Sequence, residues 1–282
     1  MERSETASWM RPSQHDPIPT ADLRTDRAHS ARVYDYMLGG KTNFAADRDA
    51  GDKIIAEWPG SRASARAARA VMHRMVRRLA GEHGIRQFLD IGTGIPTTPN
   101  LHEIVQGVDP ACRIVYADND PIVLAHARAL LTSTPEGRTA YIDGDLREPE
   151  LILADVKRDD TLDLSRPVAL TLINVVHFLS DAAVRPLVGR LLDALPSGSF
   201  LALTAGTGDS APERAAIASR RYREAGIENH LRTRAQVERF FTGLELDEPG
   251  VVLINRWHPD PAEGPAPADH EVMAYAGLAR KP

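Results

Sequence analysis

The chain has 282 residues, enough for one well-buried domain with additions or for two small ones. Its 43% hydrophobic and 26% charged residues are ordinary for a globular protein, and a net charge of -5 gives no general reason to expect nucleic acid or an anionic membrane as partner. The single cysteine, Cys112, excludes an internal disulfide and fits a reducing compartment. No stretch approaches the roughly 18 apolar residues of a membrane span, and no secretory signal is present, so the chain is expected to be cytoplasmic. The 20 glycines and 20 prolines show no period, which excludes a repeat architecture, and the sequence is silent on oligomeric state.

Residues 1–28 are polar, carry Pro12, Pro17 and Pro19, and are expected to be flexible. A short helix is predicted from Ser30, as N-cap, to Leu38, ending at Gly39-Gly40. Helices over 50–57 and 61–82 follow, separated by Trp58-Pro59-Gly60. The second carries Arg62, Arg66, Arg69, Arg74, Arg77 and Arg78. Val71, Met75 and Leu79 recur at helical spacing, so the arginines read as a solvated face rather than a nucleic-acid surface. From Arg86 the pattern alternates. Strands are expected over 87–91, 113–117, 139–143, 168–173 and 199–203, with helices over 100–108, 121–131, 149–156 and 181–195 between them. Nearly continuous apolar strands alternating with helices imply a parallel sheet covered on both faces. Two further helices, about 211–225 and 233–241, precede short strands near 244–246, 251–254 and 271–276, with a proline-rich surface loop over 259–267. The organisation read from this is a flexible segment 1–28, a helical extension or lid over 29–84, and one α/β domain over 85–282.

Ligands of open parallel sheets sit outside the carboxyl ends of the strands. The first strand ends in Asp90-Ile-Gly92-Thr93-Gly94, the second in Asp118-Asn119-Asp120, the third in Asp143-Gly144-Asp145 and the fourth in Asn174-Val-Val-His177. Glycines in the first turn let a ligand approach the backbone. An acid after the second strand accepts from ribose hydroxyls, and one after the third reaches an adenine amino group, so the pocket suits an adenosine-containing ligand. A dinucleotide site requires G-x-G-x-x-G, but here the third glycine is absent, Pro96 removes an N–H, and Asp90 would face the phosphates. The cationic, phosphate-free S-adenosylmethionine fits better.

Residues 86–203 resemble class I, Rossmann-like methyltransferases. The whole chain, over about 30–280, is similar to an actinobacterial family assigned to the S-adenosylmethionine methyltransferases and long catalogued as a domain of unknown function. The resemblance rests on the run Ser30–Arg48, on Phe88-Leu-Asp-Ile-Gly-Thr-Gly94, Val115-Tyr-Ala-Asp-Asn-Asp-Pro121 and Arg166-Pro-Val-Ala-Leu170 with His177-Phe178, and on Glu248-Pro-Gly250 followed by Trp257. It implies a seven-stranded, mostly parallel sheet with an antiparallel final strand. It further implies that Asp90, Gly92, Thr93 and Gly94 flank the methionine part of the cofactor and that Asp118 binds the ribose, with Asp120 as substitute. Asn119 would lie beside the adenine, Asp145 with Gly144 at its edge, Asn174 in the cofactor pocket and His177 on the substrate side.

Gly39-Gly40-Lys41-Thr42 resembles the tail of a phosphate-binding loop, but Asp35 occupies the required glycine position and no strand precedes it. A lid is the better reading, with Arg32 pairing the cofactor carboxylate and Tyr34, Tyr36, Lys41, Asn43 and Phe44 shaping the substrate pocket. Methyl transfer needs positioning and a dry pocket, and a general base only where the acceptor must lose a proton; His177 and Tyr34 are the candidates. Histidines 73, 83, 102, 126 and 177 show no metal-ligand spacing, so no metal is expected. The expected function is methyl transfer to an unidentified small-molecule acceptor. The alternatives are a non-catalytic S-adenosylmethionine-binding protein and, disfavoured by Pro96, a nicotinamide-dependent oxidoreductase.

Overall fold

The computed structural model describes residues 23–130 and 132–282, so the segment expected to be flexible lies outside the described residues as far as residue 22. Three helices come first: α1 (Ser30–Leu38), α2 (Ala45–Glu57) and α3 (Ser61–Gly81). The alternating part follows as β1 (Gln87–Ile91), α4 (Leu101–Val108), β2 (Arg113–Asp118), α5 (Pro121–Leu130), β3 (Arg138–Asp143), α6 (Pro149–Asp159), β4 (Ala169–Leu172), α7 (Asp181–Asp193) and β5 (Phe200–Gly206). The chain ends with α8 (Pro212–Glu224), α9 (Arg234–Glu238), β6 (Glu245–Leu246), β7 (Val252–Leu253) and β8 (Ala274–Arg280).

The sheet runs β3-β2-β1-β4-β5-β8-β6, with β7 also paired to β8. Strands β1 to β5 are parallel, and β8 lies antiparallel to β5 along seven residue pairs, from Phe200 opposite Arg280 to Gly206 opposite Ala274. The two-residue β7 makes eight strands where the family resemblance implies seven. Strand order reverses between β1 and β4, which opens a crevice at their carboxyl ends.

One face of the sheet buries Leu89, Val115, Leu170 and Leu201 against Ile152, Val156, Val188 and Leu191 of α6 and α7. The other buries Phe88, Ile114, Phe200 and Leu278 against Val71, Met75 and Leu79 of α3. Helix α3 therefore belongs to the core of the sheet, and the division expected at residue 84/85 crosses continuous packing. Among the boundaries that differ from expectation, three show their local setting. His29, not Ser30, occupies the N-cap of α1 and offers no capping side chain. Helix α2 starts at Ala45 rather than near 50, because Asp47 accepts from the backbone N–H of Phe44 at 2.8 Å and holds the first turn. The final strand, expected over 271–276, forms over 274–280. Residues 269–271 make a tight turn that Glu271 closes by accepting from Ala268 N at 2.8 Å, and pairing with β5 carries the strand on to Arg280.

Candidate functional site

The crevice begins at Asp90, the fourth residue of β1. Asp90 lies opposite Thr171 of β4, whose hydroxyl donates to Oδ1 at 2.5 Å. Burial pushes the Asp90 carboxyl up to about 6, against hydrogen bonds from Thr171 and Thr93 and the nearby Arg69 charge. Gly92 follows with φ +75°, and a Cβ there would stand 2.5 Å from Cγ2 of Val175, so only glycine keeps this turn closed on the β4 loop. The next helix does not begin at the turn. Ile95 to Pro99 form an irregular loop before α4, capped at Asn100, so no helix N-terminus meets a ligand at Gly94. In the turn after β4, Asn174 has φ +56°, and its Oδ1 accepts from the Thr204 hydroxyl at 3.0 Å.

Beside β1, Asp118 closes β2. Its Oδ2 accepts from Gly94 N at 2.8 Å and its Oδ1 from Asp120 N at 2.9 Å. Burial raises its pKa, partly offset by those two bonds. Asn119 Nδ2 donates to Asp145 Oδ2 at 2.8 Å, joining the ends of β2 and β3. A Cβ on Gly144 would meet Ile152 Cγ1 at 2.8 Å. Asp90, Gly92, Thr93, Gly94, Asp118, Asn119, Gly144, Asp145 and Asn174 all line one cavity of about 610 Å³, within the range of small-molecule and cofactor sites.

The cavity continues under a roof that the sequence places only in outline. Tyr34 of α1 and His177 line it. The Tyr34 hydroxyl donates to Ala65 O at 3.0 Å. Burial pushes it up to about 12, opposed by the Arg69 charge and a hydrogen bond with Asn174. His177 Nδ1 accepts from Gly206 N at 3.3 Å, which leaves the ring proton on Nε2. Burial, and then the Arg232 charge, press its pKa down to about 3. Both groups expected as bases therefore carry their protons as donors at neutral pH. Helix α3 presents Ser61, Ser64, Ala65, Ala68, Arg69 and Met72 to the cavity, and α8 presents Ala215, Ala218, Ser219 and Tyr222. Both sets recur at three- and four-residue intervals, the spacing of one helix face.

The structure corrects the rest of the expected lid. Arg32 is buried with Nε 3.3 Å from Asp120 Oδ2 and 3.7 Å from Asp47 Oδ1, so its charge is spent on those acids and not aimed at a ligand. Asp120 is thereby removed as a stand-in for Asp118: it faces Arg32 and His29, the latter at 3.1 Å. Tyr36 donates to Asp52 at 2.6 Å, and Asn43 donates to Asp35 at 2.8 Å. Lys41 is exposed, and the Phe44 ring lies under the Arg32 guanidinium. None of these six lines the cavity. Arg69 does, and sequence reasoning missed it. Its Nη2 donates to Thr97 O and, at 2.7 Å, to Pro99 O. The signal was present in the small residues at 61, 64, 65 and 68, which mark Arg69 as part of an inward stripe rather than the solvated face. Arg74 and Arg78 also turn to internal partners, Arg74 to the carbonyls of Trp257 and Ile254 and Arg78 to Asp247.

Glycine turn, β2 acid and β3 acid, set at the switch point of a sheet whose last long strand is antiparallel, define a class I, Rossmann-like methyltransferase. The chain belongs to the S-adenosyl methyltransferase family, whose model matches residues 17–282, and its cofactor is S-adenosylmethionine. A crystal structure of a protein from Streptomyces avermitilis, of the family numbered 574 among domains of unknown function, shares 52% identity, covering 92% of this chain and all of that one with a TM-score of 0.90. A Thermobifida fusca protein designated a methyltransferase shares 43% identity over 94% of this chain and 99% of that one, with a TM-score of 0.84. At 13% identity, the plantazolicin methyltransferase BpumL, solved with S-adenosylhomocysteine, shows the same fold at a TM-score of 0.50 over 89% of this chain and 95% of that one. No curated protein matches the chain. Family membership leaves the nicotinamide reading without support. Among the described residues, no helix is long and apolar enough to cross a membrane.

Proposed function

We propose that this protein methylates a small acceptor with a largely apolar body, enclosed between α1, α3 and α8. One observation carries the reading: the cavity does not stop at the residues suited to the cofactor, but continues into a compartment walled by Met37, Trp58, Met72, Phe178, Tyr222 and Met273. A protein that only sensed the cofactor has no need of that second, apolar space. The buried Cys112 supports a cytoplasmic setting, and the inward turn of Arg69, Arg74 and Arg78 removes much of the basic face a nucleic acid would need.

The residues present fit the cofactor. Asp118 offers its remaining lone pairs to ribose hydroxyls, Asp145 and Asn119 form a polar edge for adenine, and Gly144 leaves the room a side chain would fill. Asp90 suits the cationic end. Arg69, whose bonds to the Thr97 and Pro99 carbonyls are both made by Nη2, takes through Nη1 the carboxylate role first expected of Arg32. When bound, S-adenosylmethionine supplies an electrophilic methyl group on a sulfonium. The chain's own part is to orient acceptor and donor and to exclude water, with Tyr34 and His177 as hydrogen-bonding walls. Calorimetry tests the reading. S-adenosylmethionine and S-adenosylhomocysteine should bind and NAD should not, and label from the methyl donor should pass to a component of a small-metabolite extract. Binding with no transfer to any extract fraction would favour the sensor; no binding would defeat both.

A further inference from the structure

We propose that the acceptor is an oxygen acid already ionised in neutral water, a carboxylate on an apolar body, which receives a hydrogen bond from His177 Nε2–H and gives up no proton to the enzyme. This rests on the methyltransferase reading above and names the substrate class of that same site.

The argument starts from the protons. The Gly206 N–H bond fixes the His177 tautomer with its proton on Nε2, and the Tyr34 proton is committed to Ala65 O. Neither group has a free lone pair suited to taking a proton from an acceptor. The remaining polar side chains on this side offer no base either: Ser61 Oγ, Trp58 Nε1 and Asn229 Oδ1 are buried without a partner among the described residues, but a hydroxyl, an indole N–H and an amide oxygen take no proton at neutral pH. Ser64 Oγ accepts from Met273 N, Ser219 Oγ donates to Asn229 O, and Glu228, exposed, pairs with His230 at 3.0 Å. An alcohol or neutral phenol would thus have to react without losing its proton, which makes it a weak nucleophile.

The charges point the same way. The compartment lies beside the cationic sulfonium and Arg69, and Arg232 stands behind His177, donating to the carbonyls of Val176 and Leu179 that carry the His177 turn. An ammonium acceptor would meet like charge and would need a base to free its lone pair. A carboxylate meets opposite charge and a donor, which offsets its desolvation. The aromatic and methionine walls accommodate the rest of the molecule without polar partners. The step balances without a base. A carboxylate oxygen lone pair forms the O–C bond as the S–C bond breaks, the S–C electrons return to sulfur, and the products are a methyl ester and S-adenosylhomocysteine.

Three probes with one body separate the head groups: phenylbutyrate, phenylbutanol and phenylbutylamine. Binding to the protein saturated with S-adenosylhomocysteine is followed by ligand-observed NMR at millimolar concentration, and transfer is followed with labelled donor. The expected result is that the acid binds tightest and alone yields a base-labile methyl ester, at a rate flat in pH between about 6.5 and 9, where neither His177 nor a carboxylate titrates. His177→Gln, which keeps an N–H donor, should retain about a tenth or more of the transfer rate, and His177→Phe should lose about a hundredfold or more. Preferential binding or methylation of the amine or the alcohol overturns the proposal, as does failure of the acid to bind. A protein that also fails to bind S-adenosylhomocysteine has instead failed the reading beneath it.

Discussion

Two residues carry most of the proposed cofactor affinity, and each has its own signature. Arg69 is held by two loop carbonyls on a stripe of small residues, so its guanidinium is placed before any ligand arrives. A charge-assisted bond to the cofactor carboxylate is worth about 1.5–3 kcal/mol, so Arg69→Met should weaken S-adenosylmethionine binding about 10- to 100-fold in calorimetry. The decarboxylated analogue should bind the native protein about as weakly and lose little further in the variant; two full, additive losses would show that Arg69 and the carboxylate do not meet. Asp118 differs, since it also ties Gly94 to Asp120. Asp118→Ala should cost about 1–3 kcal/mol of cofactor affinity. The melting temperature without ligand, measured alongside, separates the structural share. An unchanged affinity would take Asp118 out of the ribose site, and Asp120 cannot replace it while it faces Arg32 and His29.

At the scale of elements, α1 is fastened to the cofactor loop rather than laid on it. Arg32 bridges Asp120, in the loop after β2, and Asp47, in the first turn of α2, and Asp47 also accepts from His29 N at 2.9 Å. The three charges are almost fully buried. Arg32→Met would leave two buried carboxylates short of their cation, so urea unfolding should show a loss of about 3–5 kcal/mol, toward the lower end because His29 still reaches Asp120. A loss below about 1 kcal/mol would mean the latch contributes little. This network also explains what the sequence yielded and what it withheld. Asp90, Asp118 and Asp145 were readable because each stands at or within two residues of the carboxyl end of a strand, and the strand order then brings them to one edge. Arg32, on a short helix, and Asn43, in the loop after it, were misread because a polar residue there looks the same in sequence whether it faces a ligand or a buried acid. Asp120 is recognised as a partner only once α1 has docked, and Asp35 only once the chain has turned back on the end of α1. The acceptor walls were invisible for the same reason: Trp58, Ala215, Ala218 and Met273 form one cluster drawn from three distant parts of the chain.

For the whole molecule, burial sets an acid limit that the cofactor modifies. His177, His73 and His102 are all held neutral by burial, with His177 at about 3 and His73 at about 4. An unfolded histidine takes its proton near 6.5, so as pH falls below that value the unfolded chain binds protons that the folded one refuses, and stability is lost. Asp90 acts in the opposite sense. Its folded pKa of about 6 lies above the ordinary 3.8, so the folded state takes up a proton first and gains stability as pH falls through about 6. Each uncompensated histidine costs about 1.4 kcal/mol per pH unit, so the unliganded protein should melt at progressively lower temperature between pH 7 and 5, and Asp90→Asn should steepen the decline by removing the compensation. Bound S-adenosylmethionine changes the balance, because its cationic end favours the ionised Asp90 carboxylate. The ligand-induced rise in melting temperature should therefore shrink as pH falls below about 6, with proton release visible in calorimetry as a dependence on buffer ionisation enthalpy. Asp90→Asn should abolish both the release and the pH dependence of the rise. A cofactor effect that is the same at pH 5 and pH 7 in the native protein would place the sulfonium end away from Asp90, and with it the orientation on which the acceptor compartment depends.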